Sequence, residues 1–284
     1  MPDLALGAVI AFDFQSWNVQ EEIALVRAAG VRRVQIYRNY LQGIAARDIR
    51  ATLDAAGLTA DSLHGYFFYE KMERGPSCSV ASPDETERHS AIEILRGEAG
   101  FARALGCRDI IVHPVGQRQY SAEDRGDPRA QEAALGRSAR DLAAIGAKAD
   151  VRFLIENMPP PIFSGDAAML RRIADETASP HVGLAFDSGH ATLTGNPAGI
   201  VRAMGPRLWG VHLHDTRGTE DDHLLPGMGV IPFEDVARAL AEIRFSATFM
   251  IEVYRPTEEV RRDLTPERLA HINHLRHLAS GTKA

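Results

Sequence analysis

Short apolar runs recur eight times along this chain, separated by longer stretches with helical periodicity. The runs cover residues 6–11, 33–37, 58–64, 109–113, 151–156, 182–187, 208–214 and 248–253. Each is apolar on both faces and rich in places in β-branched or aromatic side chains. That is the pattern of a parallel strand buried between two layers. The helix-like stretches include 21–29, 45–56, 84–105, 130–149 and 233–243, and Gly30, Gly57 and Gly106 stand where left-handed caps are wanted. Pro232 precedes Phe233, where a proline suits a helix start. Strands alternating with helices in this number specify a single (β/α)8 barrel, with an open doubly wound sheet as the alternative.

At 284 residues, 45% hydrophobic, the chain can build one large core, and no linker or low-complexity tract divides it. The expected organisation is a barrel domain over 1–278 and a flexible tail over 279–284. Disordered, collagen-like and disulfide-stapled classes are excluded by the same composition. Two isolated cysteines, Cys78 and Cys107, suit a reducing cytoplasm, as does a start with no basic flank and no apolar run of membrane-spanning length. The formal charge of −6 gives no electrostatic footprint for nucleic acid. Lysine is scarce (Lys71, Lys148 and Lys283), and neither a G-x-S-x-G elbow nor a phosphate-binding P-loop occurs.

The chemistry is carried by the strand ends. His64, His113, Glu156, Asp187, His212 and Glu252 fall at or near the ends of six successive runs. A barrel brings those ends to one face, the face that carries active sites. One such residue alone reads as a hydrogen-bonded structural group. Six imidazoles and carboxylates gathered together need a cation or protons to balance them, and all are ligands for divalent first-row metals. His190 follows Asp187 by three, and Asp221 and His223 lie two apart in the loop after the seventh run, each placed to touch a metal or a substrate. His214 is expected to support a ligand by hydrogen bonding.

The segments IIVHPVG, FLIENMP, LAFDSGHA, GVHLHDTRGTEDDHLLPGMGVIPF and FMIEVY resemble the xylose-isomerase-like TIM-barrel superfamily, which contains sugar and sugar-phosphate isomerases and epimerases and the endonuclease IV type of apurinic-site endonuclease. The resemblance runs over nearly the whole chain, strongest from Ile110 to Tyr254. In the sugar branch it implies one divalent ion on Glu156, Asp187, His212 and Glu252, with the two glutamates exchanging a proton with a carbon next to a carbonyl. In the endonuclease branch it implies three zinc ions, with His64, His113, His190, Asp221 and His223 as further ligands. Manganese, zinc, cobalt or magnesium each fit such a set, in a number from one to three.

The loops are not basic, as groove-probing loops on a phosphate backbone would be, and they supply aromatics that suit a sugar or cyclitol ring. The expectation is therefore a metal-dependent isomerase or epimerase of a sugar, sugar phosphate or cyclitol. The alternatives are an endonuclease-IV-like zinc phosphodiesterase acting on abasic DNA and a dehydratase or lyase of a keto-sugar or dehydroshikimate-like substrate. Trp17, Phe68, Arg217 and Arg255 are the expected substrate contacts. The expected partner is a small carbohydrate rather than nucleic acid or membrane, with homo-oligomer formation left open.

Overall fold

The structure is a computed structural model that describes residues 3–12, 18–40, 42–66, 78–115, 126–160 and 162–281. Its eight strands are β1 (Leu6–Phe12), β2 (Arg33–Arg38), β3 (Thr59–His64), β4 (Asp109–Val112), β5 (Arg152–Glu156), β6 (Val182–Asp187), β7 (Leu208–His212) and β8 (Phe249–Ile251). All pair in parallel in the order β7-β6-β5-β4-β3-β2-β1-β8. The remaining gap is spanned at Leu213, whose N–H donates to Met250 O at 2.9 Å and whose carbonyl accepts from Glu252 N–H at 3.1 Å. The sheet thus closes to within a bridge of a complete barrel, the fold expected from the alternation.

Ten α-helices are seen among the described residues: α1 (Val19–Ala28), α2 (Ala46–Ala56), α3 (Glu85–Leu105), α4 (Pro128–Ala149), α5 (Ala167–Glu176), α6 (Ser188–Thr194), α7 (Pro197–Met204), α8 (Phe233–Glu242), α9 (Thr257–Asp263) and α10 (Pro266–Ala279). Asp84 and Asp166 each cap a helix by accepting two backbone N–H groups in the first turn. Gly57 and Gly106 close α2 and α3 in the left-handed region, at φ 66° and 92°. Two strands are followed by paired helices where one was expected. After β6, Gly195 ends α6, and Asn196 caps a fresh start that Pro197 favours. After β8, Pro266 opens α10 as a separate helix, with Thr265 as its cap.

The main core lies between barrel and helices, where Ile10, Ile36, Ile110, Phe153, Phe186 and Phe249 are fully buried or nearly so. Among the described residues, two small apolar clusters stand apart from this core, Ile111 with Leu154 and Ala185, and Ala11 with Tyr37.

Ala279 completes α10 and is buried, and Ser280 beyond it is buried with its hydroxyl accepting from Leu4 N–H at 3.0 Å. Ser280 thus ties the end of the last helix to the entry of β1. Among the described residues, no helix is long and apolar enough to cross a membrane.

Candidate metal centre

Barrel register decides which side chains meet. His64, Glu156, Asp187 and His212 are the last residues of β3, β5, β6 and β7, and His113 and Glu252 stand one residue beyond β4 and β8. Asp187 pairs with His212 in the β6–β7 ladder. The ends are then locked from below. Asn157 Nδ2 donates to Asp187 O at 3.2 Å while its Oδ1 accepts from Asp187 N–H at 2.8 Å, fixing the end of β5 against that of β6. Ser188 Oγ donates to His214 O and accepts from His214 N–H, at 2.6 and 2.9 Å. Gly189 leaves space for the His214 ring, since a Cβ there would lie 2.2 Å from His214 Cε1.

The nine residues expected as ligands are brought into one continuous network. His64 Nε2 lies 3.2 Å from His113 Nε2, which lies 3.2 Å from Glu156 Oε2. His212 Nδ1 lies between the two glutamates, 3.1 Å from Glu156 Oε1 and 3.2 Å from Glu252 Oε1. His190 accepts its place from Asp187, whose Oδ1 caps the His190 N–H at 2.7 Å, and its Nε2 reaches Asp221 Oδ2 at 3.2 Å. His223 Nε2 stands 3.1 Å from the same Asp221 oxygen. Glu156, Asp187, His212 and Glu252 are all buried.

Burial alone would neutralise this many charges, and the mutual fields decide the outcome. Burial raises Glu156, yet His212 and His113 hold it well below the ordinary carboxylate range. Asp187 and Asp221 are likewise raised by burial and then lowered further by their histidines. Burial works against protonation of His212 and His214, but Glu252 with Glu156 and Asp187 respectively bring each up to about 9. His64 goes the other way, lowered by burial and by His113. With no ion bound, protons on His190, His212 and His214 offset the charge of the buried carboxylates.

That arrangement fits a divalent cation. His214 Nδ1 and His223 Nδ1 are buried without a hydrogen-bond partner, a cost that coordination or proton exchange relieves. Among the described residues, four sets each bring their donor atoms within 4.8 Å of one another: His64, His113 and Glu156; Glu156, Asp187 and His190; Asp187, His214 and Glu252; and His214, Asp221 and His223. Nitrogen and oxygen donors of this kind suit zinc, manganese or cobalt.

A family profile described as xylose isomerase-like TIM barrel matches residues 23–276. The chain belongs to this family. An uncharacterized protein of Sinorhizobium fredii is 26% identical over 173 residues, 60% of this chain, which spans only 55% of that relative's length. The inosose isomerase of Bacillus velezensis is 32% identical over 91 residues, 30% of this chain and 32% of that one. Among solved structures, a D-tagatose 3-epimerase-like protein superposes with a TM-score of 0.72 at 21% identity, over 94% of this chain and 98% of the other. The IolI protein with a bound zinc atom gives a TM-score of 0.71 at 19% identity, over 96% and 98%. At these identities the superpositions establish the shared fold.

Within this xylose isomerase-like barrel, the expected substrate contacts fare differently from the ligands. Arg217 is largely exposed and bound to Asp222 Oδ1 at 2.6 Å. Arg255 is held by Glu259 at 2.5 Å and Asp263 at 3.0 Å. Both guanidiniums are thus engaged by carboxylates of their own loop or helix. Trp17 and Phe68 lie outside the described residues.

Four residues enter the site that the strand-end pattern did not assign to these roles. His214, expected behind the ligands, has its Nε2 2.9 Å from Asp187 Oδ2 and belongs to two of the donor sets. Tyr37 donates its phenol to Glu252 Oε1, and Gln35 contacts His212. Asp215 accepts from Thr216, Gly227, Gly229 and Ile231 N–H at 2.8–3.1 Å, and so folds back the loop that carries Asp221 and His223. Gly229 permits that approach, since a Cβ would lie 2.5 Å from Asp215 Oδ1. The available signals were Gln35 in a strand otherwise expected to be apolar and the glycines spaced after Asp215.

Proposed function

We propose that this chain is a divalent-metal-dependent isomerase or epimerase of a sugar, sugar phosphate or cyclitol, working by proton transfer at a carbon next to a carbonyl. The observation that carries the reading is the placement of Glu156 and Glu252 on either side of His212 Nδ1, with Asp187 and His214 alongside. The similarity to the inosose isomerase and to a D-tagatose 3-epimerase-like protein supports this substrate class. Glu156, Asp187, His212 and Glu252 would hold the ion, with His214 adjacent. A cation there supplies positive charge against negative charge developing on substrate oxygens.

The chain's own groups supply the proton path. Glu156 Oε2, buried and 3.2 Å from His113 Nε2, is the atom assigned to take a proton. Glu252 has Oε1 engaged by Tyr37, which leaves Oε2 as its working atom. One glutamate removes a proton from one face of the substrate carbon, and the other returns it to the opposite face or to the neighbouring carbon. The test is solvent deuterium uptake into a panel of ketohexoses and inososes, with metal content measured on the same samples. Uptake by wild type, abolished by Glu156→Gln and by Glu252→Gln in folded protein, is the expected result. Near-normal uptake by either variant overturns the two-glutamate mechanism.

The outer donor sets, His64–His113–Glu156 and His214–Asp221–His223, favour a second reading as a zinc phosphodiesterase. About three zinc ions per chain, together with cleavage of an abasic-site oligonucleotide and no deuterium uptake, would replace the isomerase assignment.

A further inference from the structure

Strand β2 carries none of the expected ligands, yet it places a polar side chain in the barrel interior beneath the site. Gln35 is 1% exposed. Its neighbours Val34 and Ile36 face the helices, so alternation turns Gln35 inward, where branched apolar residues normally fill a barrel. The β2–β3 register slips at this point. Val34 pairs with Ala60, but Gln35 pairs with Ser62, skipping Asp61. The irregularity sets the hydroxyl of Ser62 beside the amide, and Gln35 Nε2 donates to Ser62 Oγ at 2.9 Å. With its nitrogen committed there, the amide turns its oxygen to His212, and Oε1 lies 2.8 Å from His212 Nε2.

The geometry points to Gln35 as the positioning residue that keeps the proton of His212 on Nε2 and so presents Nδ1 to Glu156 and Glu252. An amide oxygen can only accept, so the ring nitrogen facing it must donate. When a cation displaces its second proton, Nδ1 supplies the lone pair for that cation between the glutamates, 3.1 and 3.2 Å away. A partner on the far nitrogen of a ligating histidine fixes its tautomer and ring plane and raises its donor strength. The reverse arrangement, with the amide flipped and the Nε2 lone pair accepting, would put a proton on Nδ1 between the glutamates and close that position to a metal.

This inference rests on the ion site proposed above, and two measurements separate their failures. The first is Mn²⁺ affinity, by titration of the chelator-treated whole chain. Gln35→Leu, which removes the acceptor, should weaken binding about 10- to 100-fold. Gln35→Glu, which keeps an acceptor at the same reach, should bind within a few-fold of wild type. Equal affinity for Gln35→Leu and wild type overturns the role of Gln35. The second is a ¹⁵N-histidine spectrum, with His212→Asn to assign the signal. Wild type should show a His212 Nε2–H protected from solvent exchange, and Gln35→Leu should lose that protection. A lone-pair shift at Nε2 in wild type overturns the inference even if Mn²⁺ binds. Failure of wild type to take up Mn²⁺ overturns the ion site, and the Nε2 signal then judges Gln35 by itself.

Discussion

Glu22 lies on α1 with its carboxylate beside the end of β1, outside the set of expected ligands, and its replacement by glutamine tests how burial sets stability in this barrel. The side chain lines an apolar pocket between β1, β8, α1, α9 and α10, among Leu25, Val26, Ile251 and Val260. Its Oε2 accepts from Ala11 N–H at 2.8 Å. Strand β8 is short and its ladder with β1 covers only Leu6, Gly7 and Ala8, so Ala11 lies beyond its reach. Burial pushes the Glu22 carboxyl up to about 7 from 4.5, against the lowering effect of the Ala11 hydrogen bond. Below pH 4.5 both folded and unfolded chains keep the proton. Between 4.5 and 7 the unfolded chain releases it first, so stability falls as pH rises, and above 7 the loss is complete. At 1.36 kcal/mol for each pH unit of that window, the loss is roughly 3 kcal/mol.

Glu22→Gln keeps an oxygen for the Ala11 N–H and carries no charge. The variant should match wild type near pH 4.5 and exceed it by up to roughly 3 kcal/mol at pH 8, a difference of about 6 °C in Tm for a domain of this size. Urea and thermal unfolding, followed by circular dichroism at several pH values, measure the gap between the two proteins, and other titrating groups cancel in that difference. Parallel curves from pH 4.5 to 8 would refute the reasoning.

Gly189→Ala would place a Cβ 2.2 Å from His214 Cε1 and 3.0 Å from Asp221 Oδ1. The displaced ring should cost about 1–3 kcal/mol of stability and lower metal content, and retention of both at wild-type levels would show that the His214 approach is not needed. Because His212 and His214 titrate at about 9 without an ion, cation binding at pH 7 must displace protons. Affinity should therefore rise with pH toward 9, with proton release visible as buffer-dependent heats in calorimetry; heats that do not depend on the buffer would contradict this. Tyr37→Phe removes the donor to Glu252, a charge-assisted bond of about 1.5–3 kcal/mol. Turnover should drop about 10- to 100-fold at unchanged metal content, and unchanged turnover would remove Tyr37 from the mechanism.

The alternation of buried runs with amphipathic stretches was enough to specify the barrel, because each element's pattern is local. A strand buried on both faces reads as parallel and layered, and functional residues at the ends of so many successive strands favour a closed barrel over an open doubly wound sheet. The same local logic exposed His64, His113, Glu156, Asp187, His212 and Glu252, since a polar group ending an apolar strand can only emerge at the rim. The pairing of those groups was not legible. Tyr37 meets Glu252 across 215 residues of sequence and Gln35 meets His212 across 177. Both meetings depend on barrel closure, and the second on a one-residue slip between β2 and β3. The competition for Arg217 and Arg255 by nearby carboxylates was equally invisible, because sequence shows that a charge is present and not which partner it chooses. The sequence alone determined the architecture and the chemistry available at one face, through periodicity and strand-end position. Only the tertiary structure decided which histidine faces which carboxylate, because those distances are set by register and closure between strands far apart in the chain.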